Sequence, residues 1–343
     1  MSVHIASISE SLSTFFADHS YSKIMVIVDQ HTKRWVYPLI TPHLPKHKSV
    51  TVPAGEIHKT LETCQHIWSA MTEYEMDRHS LVINIGGGVI GDMGGFCAAT
   101  YKRGIDFIQV PTTLLSQVDA SVGGKLGIDF HGFKNHLGSF QLPKRVFIDP
   151  VFLKTLPERE LRSGFAEIIK HCLIQDPNAW QVLRKLDFPD LDWSYWIQHS
   201  VNIKEHIVLQ DPTEKGIRKI LNFGHTLGHA IETFFLNQSK KPLLHGEAIA
   251  VGMITEAFMA YEKKLLDEKS LMEIEEFIFS VYGKIHFSID DIPTIIQLTT
   301  QDKKNKGKEV RFSLIEGLGA CLFDIPGNAT AMRRALIYYL GGI

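Results

Sequence analysis

Leu81–Asp92 reads LVINIGGGVIGD, an apolar run that stops at three glycines and then continues. Leu81–Ile85 predicts a short buried strand, and Gly86, Gly88 and Gly91 satisfy the pattern G-x-G-x-x-G at the start of a helical run. Glycines at such a turn let backbone N–H groups approach a pyrophosphate, with help from the helix N-terminus. A tight turn with close packing explains the pattern about equally well, so the glycines alone leave both interpretations open.

Alternating strand and helix patterns surround this stretch. Short apolar runs predict strands over Lys23–Val28, Lys48–Val52 and Phe107–Val110, and helical spacing of apolar residues predicts a helix over Thr60–Tyr74. This alternation is typical of βαβ units around a mainly parallel sheet. We therefore predict an α/β, Rossmann-like nucleotide-binding domain over residues 1–150.

Two aspartates favour the nucleotide interpretation of the glycines. Asp92 follows the glycine turn, where packing does not require a carboxylate. Asp29 ends an early strand, from which its side chain could accept hydrogen bonds from ribose hydroxyls. Taken alone, Asp29 is explained slightly better as a turn or helix cap.

The pattern changes after Asp149-Pro150, and strand signals nearly vanish. Helical periodicity predicts helices over Leu153–Cys172, Ala179–Lys185, Trp193–Leu209, Lys219–Phe235, Gly246–Lys264, Lys269–Tyr282, Ile289–Leu298 and Ala331–Leu340. Residues 151–343 are therefore predicted to form an all-α C-terminal domain. A cleft between a nucleotide-type domain and a helical domain is a common place for a ligand.

Charge and composition exclude several classes of partner. The 343 residues carry a net charge of −2, which provides no overall field to hold nucleic acid or a membrane surface. No apolar stretch is long enough to span a bilayer, and a secretory signal is not expected at the start of the sequence. The four cysteines lack metal-type spacing and indicate reduced core residues in a cytoplasmic protein.

A segment rich in small residues, hydroxyls and lysines follows Pro111. It contains Thr112-Thr113, the run DASVGGK over Asp119–Lys125, and Lys134-Asn135. Backbone amides and ammonium groups in such a loop can surround a phosphate or a carboxylate. The spacing is not that of a Walker A loop, and a mobile polar loop with solvated lysines explains it about as well.

Three histidines and one carboxylate indicate a metal site. His225 and His229 are four residues apart and share a helix face, and His245 precedes another predicted helix. Glu167 and Lys170 share a face of an apolar helix, where a buried charge requires a partner or a metal. No glutamate follows His225, so a zinc peptidase is excluded. Three imidazoles and a carboxylate suit a catalytic Zn²⁺, but spacing does not decide which three bind.

Long motifs in a fixed order then resemble one enzyme family. They are GGGVIGDMGGF at 86–96, Arg103-Gly104, QVPTTLLSQVDASVGGK at 109–125, Lys134-Asn135, TLPERELRSGFAEIIKH at 155–171, LNFGHTLGHAIE at 221–232, LHGEAIAVGM at 244–253 and DKKNKG at 302–307. The chain is similar to the 3-dehydroquinate synthase family from about Asp29 to Arg311.

The resemblance implies a fold, a reaction and two cofactors. The fold is the dehydroquinate synthase-like pairing of an NAD-binding α/β domain with a helical metal-binding domain. The reaction converts the seven-carbon sugar acid 3-deoxy-D-arabino-heptulosonate 7-phosphate (DAHP) to 3-dehydroquinate with loss of phosphate, in the shikimate pathway. It combines transient oxidation by NAD, β-elimination of phosphate, re-reduction and an aldol closure, so the enzyme is a carbon–oxygen lyase. The resemblance also implies Zn²⁺, with Co²⁺ as the alternative, and a homodimer.

The resemblance further implies roles for individual residues. It places the metal on Glu167, His225 and His245, and makes His229 a substrate-facing group. It places NAD against Asp29, Glu56, Lys59, Gly88, Val89, Ile90, Gly91, Asp92, Thr112, Thr113, Lys125, Lys134, Phe152 and Thr155. It places the substrate against Asp119, Lys125, Lys134, Asn135, Lys170, Lys204, Arg218, Asn222 and His229. Arg103 would reach the phosphate site of a neighbouring subunit. Either Lys303 or Lys304 would contact the phosphate, and we take Lys304 as the candidate.

The sequence departs from the family pattern in one loop. Leu126 stands where the family usually has threonine, and the loop 128–134 is one residue longer than is common, with Phe133 in place of glycine. Three other functions remain as alternatives: a cyclase that makes a valiolone- or inosose-type ring, a metal-dependent polyol dehydrogenase, and a non-catalytic binding protein. The set Lys204, Arg218, Asn222 and His229 favours an acidic substrate over the neutral sugar phosphates of the first alternative.

Overall fold

The computed structural model describes residues 3–131, 133–238, 242–299 and 309–342. The chain forms two compact units. The first consists of Met1–Leu161 and Trp193–Glu205, and the second of Arg162–Asp192 and His206–Ile343. The domain boundary that the sequence indicates after residue 150 stays a prediction. None of the helices in the described ranges has the length and apolar character needed to cross a membrane.

The first unit contains a parallel sheet with helices along it. Its strands β1–β8 span Val3–Ile5, Ile24–Asp29, Lys48–Val52, Leu81–Gly86, Asp106–Pro111, Lys125–Phe130, Phe133–Phe140 and Arg145–Ile148. Helices α1–α5 span Ile8–Asp18, Gln30–Trp35, Tyr37–Ile40, Leu61–Glu73 and Gly88–Thr100. Single turns lie at Thr41–His43, Glu56–His58, Tyr101–Arg103, Ser116–Ala120 and Pro150–Thr155.

The order of strands in the sheet is β1-β8-β5-β4-β2-β3, and every neighbouring pair is parallel. Successive side chains of a strand point to opposite faces. Met25, Val82 and Phe107 therefore pack toward α4 and α5, while Val26 and Ile83 pack on the other face with α1. The predicted α/β domain with a parallel sheet is confirmed. Strands β6 and β7 form a separate antiparallel hairpin, where the sequence indicated only a polar loop.

Helix α5 packs closely on the parallel sheet and on the β6–β7 hairpin because its contacting residues are glycines. A Cβ atom on Gly94 would stand 2.1 Å from Asn84 Oδ1, and one on Gly95 would stand 2.4 Å from Leu126 Cδ2. Gln109, beside Asn84 on the neighbouring strand, donates from Nε2 to the carbonyl oxygen of Gly91 at 2.9 Å. These contacts hold the first turn of α5 at the carboxyl end of β4.

The second unit is mainly helical. Helices α6–α13 span Glu158–Gln175, Pro177–Leu183, Trp193–Gln210, His225–Gln238, His245–Glu262, Glu268–Tyr282, Ile292–Thr299 and Ala329–Leu340, of which α6 and α8 belong partly to the first unit. Single turns lie at Phe188–Asp190, Ile217–Asn222 and Ile289–Asp291. Strands β9, Val310–Ile315, and β10, Cys321–Gly327, form an antiparallel hairpin. The predicted helical character is confirmed, but the sequence did not indicate this hairpin.

The continuous helix predicted over Lys219–Phe235 is wrong. A short turn over Ile217–Asn222 ends at Phe223, and α9 begins only at His225. Between them Gly224 has φ = 77°, a left-handed conformation that favours glycine. A Cβ atom there would also stand 2.6 Å from Cγ of Met253, so only glycine fits.

Replacing Gly94 by alanine is expected to destabilise the first unit. Asn84 is 1% exposed, so its side chain has little room to move away from the new methyl group. We expect Gly94→Ala to lower the free energy of unfolding by about 1–3 kcal/mol in a urea titration. In the Asn84→Ala background the same change should cost less than about 1 kcal/mol, because the crowding atom is gone. An equal cost in both backgrounds would contradict this packing argument.

Candidate active site

The buried carboxylate of Glu167 contacts two histidines of the second unit, His225 and His245. Oε1 of Glu167, on α6, lies 3.4 Å from Nε2 of His225 and 3.4 Å from Nε2 of His245. Helix α10, which begins at His245, approaches α6 closely: Gly246 N donates to Ser163 Oγ at 3.0 Å, and a Cβ atom on Gly246 would collide with Ser163. The predicted grouping of Glu167, His225 and His245 is thus present as a compact cluster.

His229 belongs to the same cluster. It lies one turn after His225 on α9. One ring nitrogen from each of His225, His229 and His245 lies within 4.8 Å of the other two. The geometry therefore allows His229 either to join a metal or to contact a ligand beside it.

The other ring nitrogens of two histidines are also held in place. Nδ1 of His225 lies 3.0 Å from the carbonyl oxygen of Phe223, and Nδ1 of His245 lies 3.4 Å from Oε2 of Glu232. A carbonyl or carboxylate at Nδ1 leaves the Nε2 lone pair for a metal, which is the usual arrangement around histidine ligands. This donor set fits a divalent cation such as Zn²⁺ or Co²⁺.

The charges in the cluster act in opposite directions on its two histidines, because burial and the Lys170 ammonium lower the pKa of His225, whereas carboxylates raise that of His245. Burial raises the pKa of Glu167, but the Lys170 ammonium and His225 together hold it well below its ordinary value. Burial lowers the pKa of His245, but hydrogen bonds to Glu167 and Glu232 raise it to about 9. Lys170, 1% exposed, forms an ion pair with Oε2 of Glu167, whereas both histidines contact Oε1. A site that stabilises a proton between imidazole and carboxylates suits a metal ion that replaces it.

A carboxylate organises the turn that carries Arg218 and Asn222. Asp211 accepts from the backbone N–H groups of Lys215, Gly216 and Arg218 at 3.0, 2.7 and 3.1 Å. The guanidinium of Arg218, which is 1% exposed, donates to the carbonyl oxygen of Pro212 at 2.6 Å. Asn222 Nδ2 donates to Glu214 at 2.6 Å. The two predicted substrate groups are therefore fixed by one short loop.

The glycine turn of the first unit forms the rim of a small cavity. Its lining is Gly86, Gly87, Gly88, Gly91, Gln109, Pro111, Ser116, Ala120 and Ser121. Thr112 N donates to Gly86 O at 3.0 Å, and Thr113 bonds to Ser116 within its own turn. Buried Gln117 donates to the carbonyl oxygens of Pro111 and Asp149. The predicted nucleotide residues after β4 and β5 thus lie at one edge of the sheet.

Lys59 donates to two other predicted cofactor and substrate residues, Asp92 and Asn135. Its ammonium, in a residue that is 3% exposed, lies 2.6 Å from Asp92 Oδ2 and 2.6 Å from Asn135 Oδ1. Burial lowers the pKa of Lys59, but the charges of Asp92 and Glu56 outweigh it, so the pKa lies above its ordinary value. Lys134 lies 3.6 Å from Glu56. Lys59 therefore remains an ammonium group that fixes Asp92.

A second ion pair joins Asp119 to Lys204. The ammonium of Lys204 lies 2.7 Å from Oδ1 of Asp119 and donates to its carbonyl oxygen at 2.6 Å. Lys204 is 6% exposed, so this contact is largely removed from water.

Other predicted residues lie at the ends of elements. Asp29 caps α2 by accepting from His31 and Thr32 N–H groups at 2.8 Å, the cap role that the sequence slightly favoured for it alone. Lys125 is exposed at the start of β6, and Arg103 is exposed in a turn at φ = 69°. Val89, Ile90, Phe152 and Thr155 lie in the first turn of α5 and in the turn Pro150–Thr155. Lys303 and Lys304 lie outside the described residues.

Sequence reasoning missed four carboxyl and amide groups that support the site. They are Gln117, Asp211, Glu232 and Glu256. Glu232 had a readable signal, because it follows His225 by seven residues on the same helix face. The others act on backbone groups far along the chain or in irregular turns, for which no periodic signal exists.

Solved structures share this fold. A 2-epi-5-epi-valiolone synthase from Streptomyces hygroscopicus, with NAD+ and Zn2+ bound, has a TM-score of 0.89 at 24% identity, covering 99% of this chain and 96% of that one. A 2-deoxy-scyllo-inosose synthase complexed with carbaglucose-6-phosphate, NAD+ and Co2+ has a TM-score of 0.84 at 23% identity, covering 97% and 95%. A Thermotoga maritima butanol dehydrogenase has a TM-score of 0.69 at 14% identity, covering 98% and 96%.

Similarity in sequence identifies a narrower family than similarity in fold does. Residues 49–163 and 164–305 match the family models described as 3-dehydroquinate synthase N-terminal and C-terminal. A 3-dehydroquinate synthase of Parabacteroides distasonis is 40% identical over 96% of this chain and 94% of its own length. One of Helicobacter pylori is 44% identical over 81% of this chain and 79% of its own.

The fold is that of the sugar-phosphate cyclases, and the butanol dehydrogenase has a similar fold. Within it, the chain belongs to the 3-dehydroquinate synthase family. It is accordingly an enzyme of the lyase class, a phosphate-eliminating cyclase. The family resemblance and the enzyme class that the sequence indicated are confirmed, and the alternative functions have less support.

Asp211→Asn is expected to destabilise the loop that holds Arg218. Burial raises the pKa of Asp211, but its three N–H contacts outweigh burial and lower the pKa below its ordinary value. A lowered folded-state pKa contributes stability above the unfolded pKa, near 3.9, and that stability is lost as pH falls through the folded pKa. Thermal and urea unfolding should show a loss of about 1–2 kcal/mol at pH 7 that shrinks below about pH 4. A loss that is constant with pH would contradict this role.

Proposed function

We propose that this chain converts DAHP to 3-dehydroquinate and phosphate, with NAD as a recycled cofactor and a divalent metal. One observation supports this most: Nε2 of both His225 and His245 lies 3.4 Å from the same oxygen of buried Glu167, in a chain of this family. The cluster fits a metal that binds hydroxyl oxygens of a sugar.

Glu167, His225 and His245 are proposed to hold Zn²⁺, with Co²⁺ as the alternative. A metal ion in this cluster would lower the pKa of a coordinated substrate hydroxyl. Lys170 occupies the second oxygen of Glu167, which leaves Oε1 for the metal. His229, one turn further along α9, is proposed to face the substrate.

NAD is proposed to lie along the edge formed by the glycine turn. Bound there, NAD would supply a reversible hydride acceptor for one substrate carbon, and it would not be consumed. Gly88, Val89 and Ile90 would present backbone amides to the pyrophosphate. Gly91, whose N–H donates to the carbonyl oxygen of Gly87 at 3.0 Å, would contribute close approach of the backbone instead. Lys59 would orient Asp92, and the remaining proposed contacts are Asp29, Glu56, Thr112, Thr113, Lys125, Lys134, Phe152 and Thr155. Asp29 has one oxygen committed to capping α2, which leaves its other oxygen for ribose hydroxyls.

The remaining charged residues are proposed to bind and orient the substrate. Arg218 and Asn222 would hold its carboxylate, because their loop fixes both side chains before binding. The other groups are Asp119, Lys125, Lys134, Asn135, Lys170, Lys204 and His229, and Lys304 would contact the phosphate. Such groups contribute by positioning and by stabilising developing charge, while the substrate's own phosphate takes the proton during elimination.

Recognition of a carboxylate separates this function from that of the valiolone- and inosose-type cyclases. Arg218 is buried and donates to the carbonyl oxygen of Pro212, so its guanidinium is held in one orientation from which it would bind a carboxylate. We also propose a cytoplasmic homodimer in which exposed Arg103 reaches the phosphate site of the second subunit. Light scattering of the wild type and of Arg103→Ala would test the dimer separately from catalysis.

Incubation of the purified protein with DAHP is the direct test of the function. With NAD far below the substrate concentration, we expect phosphate to be released in large excess over NAD, without net accumulation of NADH. A chelator should stop the release, and added Zn²⁺ should restore it. Stoichiometric NADH without phosphate would instead identify a polyol dehydrogenase, and no turnover at all would favour a binding protein.

His225→Ala and His245→Ala should each abolish phosphate release and weaken zinc binding by more than about 100-fold, the upper end of what loss of an outer-shell partner costs. Metal content after dialysis and phosphate release are the two measurements. The matched control is His206→Ala, an exposed histidine of α8, which should keep both properties. Lys125→Ala should keep zinc and lose turnover. Full activity in a variant that has lost its metal would disprove the ligand assignment.

A further inference from the structure

Helix α9, which carries His225 and His229, begins at a residue that has no capping side chain. The first N–H groups of an α-helix lack partners within the helix, and a side chain at the preceding position usually accepts from the third helical residue. Here that position is Gly224, and the third helical residue is Leu227. Glycine is required there by its φ of 77° and by the contact with Met253. The close packing of α9 against α10 therefore excludes a local cap.

Glu256, on α10, supplies the missing cap from 29 residues beyond Leu227. Its Oε1 accepts from Leu227 N at 3.0 Å, and its Oε2 accepts from Gly224 N at 2.8 Å. The residue is 0% exposed. A buried carboxylate is costly unless it is compensated, and here two charge-assisted hydrogen bonds and the positive end of α9 compensate it.

The two capped N–H groups lie on either side of His225. Gly224 precedes His225 directly, and Leu227 follows it by two residues. Just before them, Phe223 O holds Nδ1 of His225. Glu256 therefore fixes the backbone from which the His225 ring is directed at Glu167.

We infer that Glu256 is a positioning residue for the metal ligand His225, and thereby sets the affinity and coordination geometry of the metal. This inference rests on the proposed metal site. Glu256 does not touch the metal or the substrate in this assignment. It acts through the backbone at the start of α9.

A second effect must be separated from positioning, because a buried negative charge also attracts a cation directly. Glu256→Gln removes the charge and keeps one acceptor, whereas Glu256→Asp keeps the charge but is one methylene too short to span both N–H groups. Thr255→Val is the matched control, since Thr255 is the adjacent, equally buried residue and bonds only to carbonyls of its own helix among the contacts described. Glu232→Gln, beside His245, is the positive control.

The experiment measures zinc affinity by chelator competition, the visible spectrum of the Co²⁺-substituted protein, and the Tm of the chelated protein. We expect Glu256→Gln and Glu256→Asp both to weaken zinc binding about 10-fold and to shift the Co²⁺ bands, since loss of a supporting group around a ligand commonly costs about 10- to 100-fold. Thr255→Val should change only Tm. If Glu256→Gln leaves the zinc affinity and the Co²⁺ spectrum unchanged, Glu256 does not position His225. If Glu256→Asp keeps wild-type values and only Glu256→Gln loses affinity, the charge of Glu256 acts directly on the metal and the positioning role is overturned. If the wild type itself binds no zinc, or His225→Ala keeps it, the proposed metal site is what fails.

Discussion

The buried carboxylate of Glu167 is the constraint on which the second unit depends. An ionised carboxylate with 0% exposure requires close compensation, since its burial without partners would cost several kcal/mol. Lys170 provides part of it from the next turn of α6, and His225 and His245 provide the rest from α9 and α10. Three helices must therefore meet at one point, and the same convergence that stabilises the charge creates the donor set for a cation.

Around this point the site is supported mainly by helices. Glycines at positions 224, 246 and 252 allow α10 to approach its neighbours closely. The carboxylate of Glu256 then accepts from a backbone N–H group at the start of α9, and that of Glu232 contacts the imidazole of His245. The first unit uses the same combination differently. There the glycines of α5 bring the helix onto a polar row of the sheet, and Gln109 bonds directly to its first turn. In both units glycine sets the distance, and a buried polar side chain then fixes the position.

Local signals made much of this predictable. Apolar runs identified four of the six strands of the parallel sheet, β2 to β5, and four-residue spacing identified the histidine face of α9. The short strands β1 and β8 were not indicated. The start of α9 was misplaced because Gly224 breaks a periodic pattern that continues through it. The hairpin β9–β10 and the cap from Glu256 were missed because both depend on contacts between distant segments. Which histidines meet Glu167 likewise depends on how α6, α9 and α10 pack, so spacing alone left that choice open.

The first unit is not a continuous piece of the chain. It is completed by residues 193–205, after the chain has already entered the second unit. Asp119 of this unit forms an ion pair with Lys204, which lies 85 residues later in the chain. During synthesis, a ribosome that has made the parallel sheet has not yet made this ion pair, so the nucleotide-type unit reaches its final state only after α8 has emerged. Synthesis order therefore ties the maturation of one unit to the progress of the other.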